Sequence, residues 1–554
     1  MHVSKFPHLT WVCAALVACL LGGFAGQSQA QAITPHDAHH ASHAVGDVHF
    51  PVSCTPPAQM KFNQAVTLLH HMTYPQARVA FEQIAASEPT CAMAHWGIAM
   101  SLFQPLWPTR PTPLELLRGW EATQKAKALA PPSERERRFV EAAEAFFIEP
   151  GATDYWLRIR RWEAASRDVH AALPEDAEAA VFFALAHLAT APTGKSSREH
   201  ADRAAALLKG VYTKNPEHPG AMHYLVHAND APGRERESLD VTRKYDAAAP
   251  ENPHALHMPT HIYTRLGDWD AVIRGNMRAA DAAMKYPAGE KGQFVWDEFP
   301  HAIEYLVYAH LQQGDDLAAA AQIARMRGTS HIEPSFKTAF HHASTQARYA
   351  LERRDWTAAA LIVPRAPDWI AWDRFAWPEA IAQFAHGLGA ARTGKLDAAD
   401  AASARLVALD AAMVNAKEDL FARNIRVLRL ELDAWTLHAR RRNTSAVEVM
   451  REAEELEAAT PKHAVTPAPI LPAAEQLGDL LMGLGKPQQA MAAYRRSMER
   501  YPQRFNSVLG AARAAHASGD AAQAQTFYRS LLEFAADASP REALAEARSY
   551  GAKR

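Results

Sequence analysis

Two stretches near the C-terminus repeat each other at a fixed interval. GLGKPQQAMAAYRRSMERYP is followed by ASGDAAQAQTFYRSLLEFAA, so Gly485 and Gly519, Ala490 and Ala524, and Tyr494 and Tyr528 are each 34 residues apart. A period of that size marks a supersecondary unit that cannot bury its apolar face alone and must stack on its neighbours. The unit is helical. From Pro56 onward apolar residues recur at helical spacing in runs of about 12 to 18 residues, broken by short Gly, Asp or Pro turns, and no period-two strand stands out. Looser copies lie upstream at RLGDWDAV (265–272), QQGDDLAA (312–319), ERRDWTAA (352–359) and RTGKLDAA (392–399), and the first at Tyr74, Ala77, Phe81 and Pro89.

A 34-residue period with Gly at the turn between helices, a small residue early in the second helix and an aromatic four later resembles the tetratricopeptide repeat. The resemblance covers most of residues 56 to 535 and implies an all-α fold, a right-handed superhelical α-solenoid of antiparallel helix pairs. Pro and Trp clusters break the array. We therefore expect an N-terminal block at 56–150 with a break at 105–113, a central block at 151–363, a Trp/Pro joint at 364–378, a block at 379–460, a Pro-rich linker at 461–472 and a C-terminal pair at 473–550. Trp369, Trp372, Phe375 and Trp377 in the joint are read as a plug in a discontinuous core, with a ligand pocket as the alternative.

Residues 1–32 stand apart. Lys5 is their only charged residue, and an apolar run from Trp11 to Phe24 leads to Ala30-Gln31-Ala32. That pattern is a secretory signal peptide and implies a periplasmic or secreted protein; Leu16-Val17-Ala18-Cys19 also reads as a lipobox, so lipid anchoring at Cys19 is the alternative. A His-rich lead-in occupies 33–55, with His36, His39, His40, His43 and His49, and is expected to be unpacked. No later stretch is apolar enough for a transmembrane helix. With 59 Lys and Arg against 61 Asp and Glu, no electrostatic case for a nucleic acid partner arises. Of four cysteines, Cys13 and Cys19 fall in the leader, and the remaining pair, Cys54 and Cys91, is expected to form a disulfide stapling the N-terminal hairpins.

The chain holds 28 histidines, and their spacing in two segments is the informative part. His223 and His227 are four apart, His257 and His261 are four apart, and the pairs are offset by 34, which puts them on one face of equivalent helices in adjacent repeats. If turn residue Gly267 is fifteenth in its repeat, His254, His257, His261 and Arg265 fall at positions two, five, nine and thirteen. His223, His227 and Asp230 fall at five, nine and twelve of the repeat before, and His301, Glu304 and Tyr308 at two, five and nine of the repeat after. In the tetratricopeptide family such positions face the concave groove, so the resemblance implies a shared, polar-lined groove.

Three readings of that groove stay open. Two histidine pairs on neighbouring helices can hold one transition metal, zinc or copper foremost, through His223, His227, His257 and His261, with Asp230 or Glu304 as a carboxylate ligand. Without metal, the histidines, Arg265 and the tyrosines can bind an acidic peptide or small anion. The plainest reading is a polar groove with no ligand. The segments His223-Tyr224-Leu225-Val226-His227 and His257-Met258-Pro259-Thr260-His261-Ile262-Tyr263-Thr264-Arg265-Leu266-Gly267 also resemble a group of exported bacterial tetratricopeptide proteins of undefined activity, in which an acid commonly follows near the position of Asp230.

No H-E-x-x-H, phosphate-binding loop, G-x-S-x-G elbow or catalytic cysteine is present. The leading expectation is an exported scaffold or binding protein that holds a protein, peptide or small ligand in the groove; the alternative is a metal-dependent, hydrolase-like enzyme or a metal-handling protein.

Overall fold

The computed structural model describes Gly46 and residues 48–152, 154–192, 196–536 and 540–552. The expected signal peptide, Cys19 and His36 to His43 lie outside the described residues. The described part of Ala44–Arg554 is a succession of α-helices from Pro56–His70 to Glu542–Ala552, each packed on the next. The one sheet among the described residues pairs Pro287–Ala288 with Phe294–Val295. The expected all-α solenoid of antiparallel helix pairs is therefore what forms, and no described helix is long and apolar enough to cross a membrane.

Local chemistry explains the repeating hairpin. At many of the turns one residue takes the left-handed conformation, as Gly485 and Gly519 do at φ 68° and 82°, and the next N–H reaches back to a carbonyl five residues earlier: Lys486 to Leu481 at 2.9 Å and Asp520 to Ala515 at 3.0 Å. This satisfies carbonyls the helix end would otherwise orphan. An aspartate then caps the next helix, Asp268 on Ala271 N–H and Asp520 on Gln523 N–H, so Gly-Asp closes one helix and opens the other. Arg354 sits at the same turn with φ 58°, at a cost of about 1 kcal/mol that packing outweighs. Within the last pairs the Tyr494 ring fills the space left by Gly478 and Gly510, where a Cβ would stand 2.6 and 2.3 Å from it.

Three segments differ from expectation. The lead-in is packed from Val48 onward, because Phe50 is fully buried against Phe62, Trp96 and Phe139. Behind it Cys54 and Cys91 form the expected disulfide, with Cα atoms 5.3 Å apart. In the joint, Trp372, Phe375 and Trp377 are buried and Trp377 lies 5.2 Å from Phe421, as a plug requires, while Trp369 is 49% exposed. The 461–472 segment is no surface linker: Val465, Thr466, Ala468, Ile470 and Leu471 are buried, because the Arg348 guanidinium takes the carbonyls of Ala468 and Pro469 and the hydroxyl of Thr466.

Distant repeats also meet. Arg110 makes a two-pronged pair with Glu418 at 2.9 and 3.0 Å, Lys417 reaches Asp154 at 2.9 Å, and Trp269 donates to the Gln503 carbonyl at 3.0 Å. The returning chain thereby encloses a cavity of about 790 Å³.

Candidate metal centre

Six imidazoles come together at one place, and the repeat register explains how. His223 and His227 lie four apart on the helix Pro219–Asn229, whose turn residue is Gly233 at φ 78°. His254 and His257 share the helix Pro253–His257 and His261 opens outward from Pro259–Leu266. Pro259 interrupts what would be a single helix, since it has no N–H for the ladder, and Thr260 takes up the His257 carbonyl at 2.6 Å. His301 comes from Glu298–Gln312.

The nitrogens divide into two sets of three, His223, His227 and His254, and His257, His261 and His301; in each set the three atoms lie within 4.8 Å of one another. Both sets use positions five and nine of one repeat and position two of the next. Where the sequence pointed to one ion held by four histidines, the geometry makes two neighbouring triads, and His254 and His301, read as groove residues, complete them. The ring centres of His227 and His261 are 5.9 Å apart, and those of His254 and His257 6.1 Å.

Hydrogen-bond partners fix which nitrogens carry protons. His223 Nδ1 donates to the His70 carbonyl at 2.6 Å, and His254 Nδ1 to Glu298 at 2.7 Å. With both rings neutral, both Nε2 atoms present lone pairs, and they face each other at 3.1 Å; His227 Nε2 is 3.1 Å from His223 Nε2. One proton on His227 can satisfy only one neighbour. In the second set His257 Nδ1 donates to Asn276 Oδ1 at 2.6 Å, an oxygen known by the amide's own donation to Val272, and His261 Nδ1 donates to Asp230 at 2.8 Å. Their Nε2 atoms stand 2.9 Å apart, with the Tyr305 hydroxyl 3.5 Å from that of His261. His341 donates through Nδ1 to Glu304 at 2.5 Å, which makes its Nε2 the acceptor for His301 Nδ1 at 3.1 Å. The third nitrogen, His301 Nε2, is buried without a partner.

Two ligands 2.0–2.1 Å from a tetrahedral ion stand about 3.3 Å apart, close to the separations seen. Each ring but His227 also has its second nitrogen tied to a carbonyl, carboxylate, amide or relay histidine, the support that orients metal-binding imidazoles.

A proton is the competing cation, and the surroundings disfavour it. Burial, then the neighbouring rings, holds His223, His227, His257 and His301 well below the usual 6.5. Burial lowers His261 to about 4 despite Asp230. Burial alone would raise the Asp230 and Glu298 carboxyls; Lys462 and Arg265 hold the first well below its ordinary value, and Lys337 and His254 the second.

The expected open groove is here a closed pocket. His223, His254, His257, His261 and His301 are at most 1% exposed, and Trp107 packs on His254 and His301 at 5.2 and 5.5 Å. Asp230 stands behind His261, with Arg265 at 2.9 Å and Lys462 at 2.7 Å, so its oxygens support a ligand and are not placed as ligands themselves. Glu304 likewise serves His341 and Arg348. Tyr308 lies apart, against Trp269 and Arg504. His341, Glu298, Asn276 and Lys462 went unread in the sequence. For His341 a signal existed: with turn residue Arg354 as fifteenth, it too is second in its repeat.

A third buried group, His70, Glu178 and His218, shows the contrast. There Glu178 takes both rings at 2.8 and 3.2 Å, Tyr224 meets His70 Nδ1 at 3.2 Å, and His218 Nδ1 accepts from Ala221. A carboxylate supplies the acceptor there, although His218 Nε2, 3.2 Å from Glu178, completes no hydrogen bond.

Fold and site together define a helical-repeat protein of tetratricopeptide type with an internal histidine cluster. The tetratricopeptide repeat family matches residues 471–504, the helix pair beginning at Ala473. No curated protein sequence matches the chain. Among solved structures, the Cut9–Hcn1 hetero-tetramer of the APC/C is 12% identical over 90% of this chain and 90% of that one, with a TM-score of 0.34. Human IFIT1 as a dimer with PPP-AAAA is 13% identical over 87% and 91% with a TM-score of 0.36, and with m7Gppp-AAAA 12% identical over 88% and 92% with a TM-score of 0.37.

Proposed function

We propose that this is an exported tetratricopeptide-type metalloprotein that holds two transition ions, zinc or copper, in adjoining three-histidine sets beside an enclosed cavity. The observation that carries the reading is the convergence of bare Nε2 lone pairs in rings whose other nitrogens are already committed. Facing lone pairs at 2.9 and 3.1 Å repel unless a cation lies between them, and burial disfavours a proton on His223, His257 and His261. Three protein ligands leave a coordination position open, the pattern of catalytic sites, where a bound water loses its proton near neutral pH. Metal-assisted chemistry on a ligand in the cavity is therefore the activity to seek, with His227, the half-buried member of the cluster, at the cavity wall. Export is supported by the leader pattern and by the disulfide, which persists in oxidising compartments.

The test is elemental mass spectrometry on untagged protein purified without chelator. About two ions per chain are expected, about one in His254→Ala or His301→Ala and none in the double variant. Metal-free protein after reconstitution with zinc and copper would sink the reading.

The repeats favour a second role, as a scaffold for a protein partner. The cluster histidines are buried, so such a partner docks elsewhere. Capture of that partner should survive chelator; loss of binding with the metal would remove this role as an independent one.

A further inference from the structure

The cavity beside the histidines has chemistry of its own. Its volume of about 790 Å³ falls in the range of small-molecule sites. Eight arginine and lysine residues line it against four acids, a local surplus of positive charge in a chain of net charge −2. The acids are already answered. Glu418 is spent on Arg110, and Asp230 is shared by Arg265 and Lys462. Glu457 takes the Ala473 N–H at 3.1 Å and the Tyr501 hydroxyl at 3.4 Å. Asp419, at the cavity edge, is exposed. Arg500 gives one nitrogen to the Ala458 carbonyl at 3.2 Å, while its Nε is buried with no partner. Next to this cationic wall stands a flat apolar one: Trp377 and Phe421, 5.2 Å apart, both pack at 5.9 Å on His463, the residue after Lys462.

We propose that this cavity binds a small organic carboxylate with an aromatic body, its charge among Arg500, Lys462 and Arg265 and its ring against Trp377 and Phe421. Lys462 and Arg265 share the one carboxylate of Asp230 and Arg500 keeps a buried Nε without a partner, a surplus that a bound anion compensates, and the aromatic wall gives dispersion and stacking that an inorganic ion cannot use. The inference rests on the metal reading in one respect only: His227 sets the bound carboxylate beside the ion of its triad. Binding itself requires no metal.

The experiment is calorimetric titration of the purified protein, metal-loaded and chelator-stripped, with 2-naphthoate and with the neutral 2-naphthylmethanol. We expect about one naphthoate per chain, bound at least about tenfold more tightly than the alcohol, and about tenfold more weakly in Arg500→Gln. Equal affinity for acid and alcohol, no binding of either, or unchanged binding in an Arg500→Gln protein with a native melting transition would overturn the proposal. If that variant does not fold, the contrast between acid and alcohol decides alone. Naphthoate binding by a protein that takes up no metal leaves the cavity standing and removes the metal centre; two ions per chain with no naphthoate binding does the reverse.

Discussion

His223 and His254 turn their Nε2 atoms toward each other across 3.1 Å, each ring donating its Nδ1–H elsewhere, one to the His70 carbonyl and the other to Glu298. A folded protein ordinarily pairs a buried acceptor with a donor. Here the support behind the rings enforces the mismatch.

That support predicts an asymmetric variant. Glu298→Gln keeps a hydrogen-bond acceptor for His254 but removes the charge that makes its Nε2 a strong base, so the first triad should bind metal about 10–100-fold more weakly while the second is unchanged. Competition with a chelator of graded strength reads both sites. Equal weakening of the two would show that Glu298 supports the pocket as a whole.

Acid should destabilise the metal-free protein. His223, His227, His257, His261 and His301 are held below 6.5 in the folded state, so as pH falls the unfolded chain takes up protons the folded one refuses. Stability is then complete above about pH 6.5 and declines through about pH 4, by up to about 1.4 kcal/mol per pH unit for each histidine. Urea midpoints of stripped protein at pH 7.5, 6 and 5 should fall, with a shallower slope in His223→Gln/His257→Gln. A slope the double variant leaves unaltered would place the acid sensitivity elsewhere.

Glu431 should be dispensable. It is fully buried, neither carboxyl oxygen has a partner, and burial beside Glu457 pushes its carboxyl well above its ordinary value. A raised value costs nothing below the unfolded value near 4.5 and progressively more as pH rises above it. Glu431→Gln should therefore melt several degrees higher at pH 8, with the gain shrinking toward pH 4.5; a lower melting temperature at pH 8 would mean the carboxylate is needed.

Arg348 joins Glu304 to the 461–472 segment. Arg348→Ala leaves a buried carboxylate uncompensated and should cost about 3–5 kcal/mol. Hydrogen exchange should accelerate at 461–472 more than in the C-terminal pair. Protection that falls evenly along the chain would mean that the loss is global and the segment has other anchors.

Much of the site was legible because its positions follow the repeat. The 34-residue offset between the two i, i+4 pairs placed His223, His227, His257 and His261 together, and the register put His254 and His301 in one equivalent position. Their role as third members stayed hidden because they are 47 residues apart, the interval being stretched by the hairpin at Pro287–Val295. The outer support was not readable at all. Asn276 is 19 residues from His257 and Lys462 more than two hundred from Asp230, and nothing local ties such residues together. The 461–472 run carries proline enough for a linker; only its partners on Arg348, over a hundred residues away, show that it is interior.

Because each triad borrows its third histidine from the following repeat, no single hairpin owns a site. Repeat arrays ordinarily tolerate the gain or loss of a unit; here, moving the boundary before His254 or before His301 would leave one ion two-coordinate. With metal bound, the seams between hairpins, usually the places where a stack frays, would become the places where an ion clasps neighbours together, with His341 behind His301. Metal occupancy would then record that the middle of the array has been assembled in order.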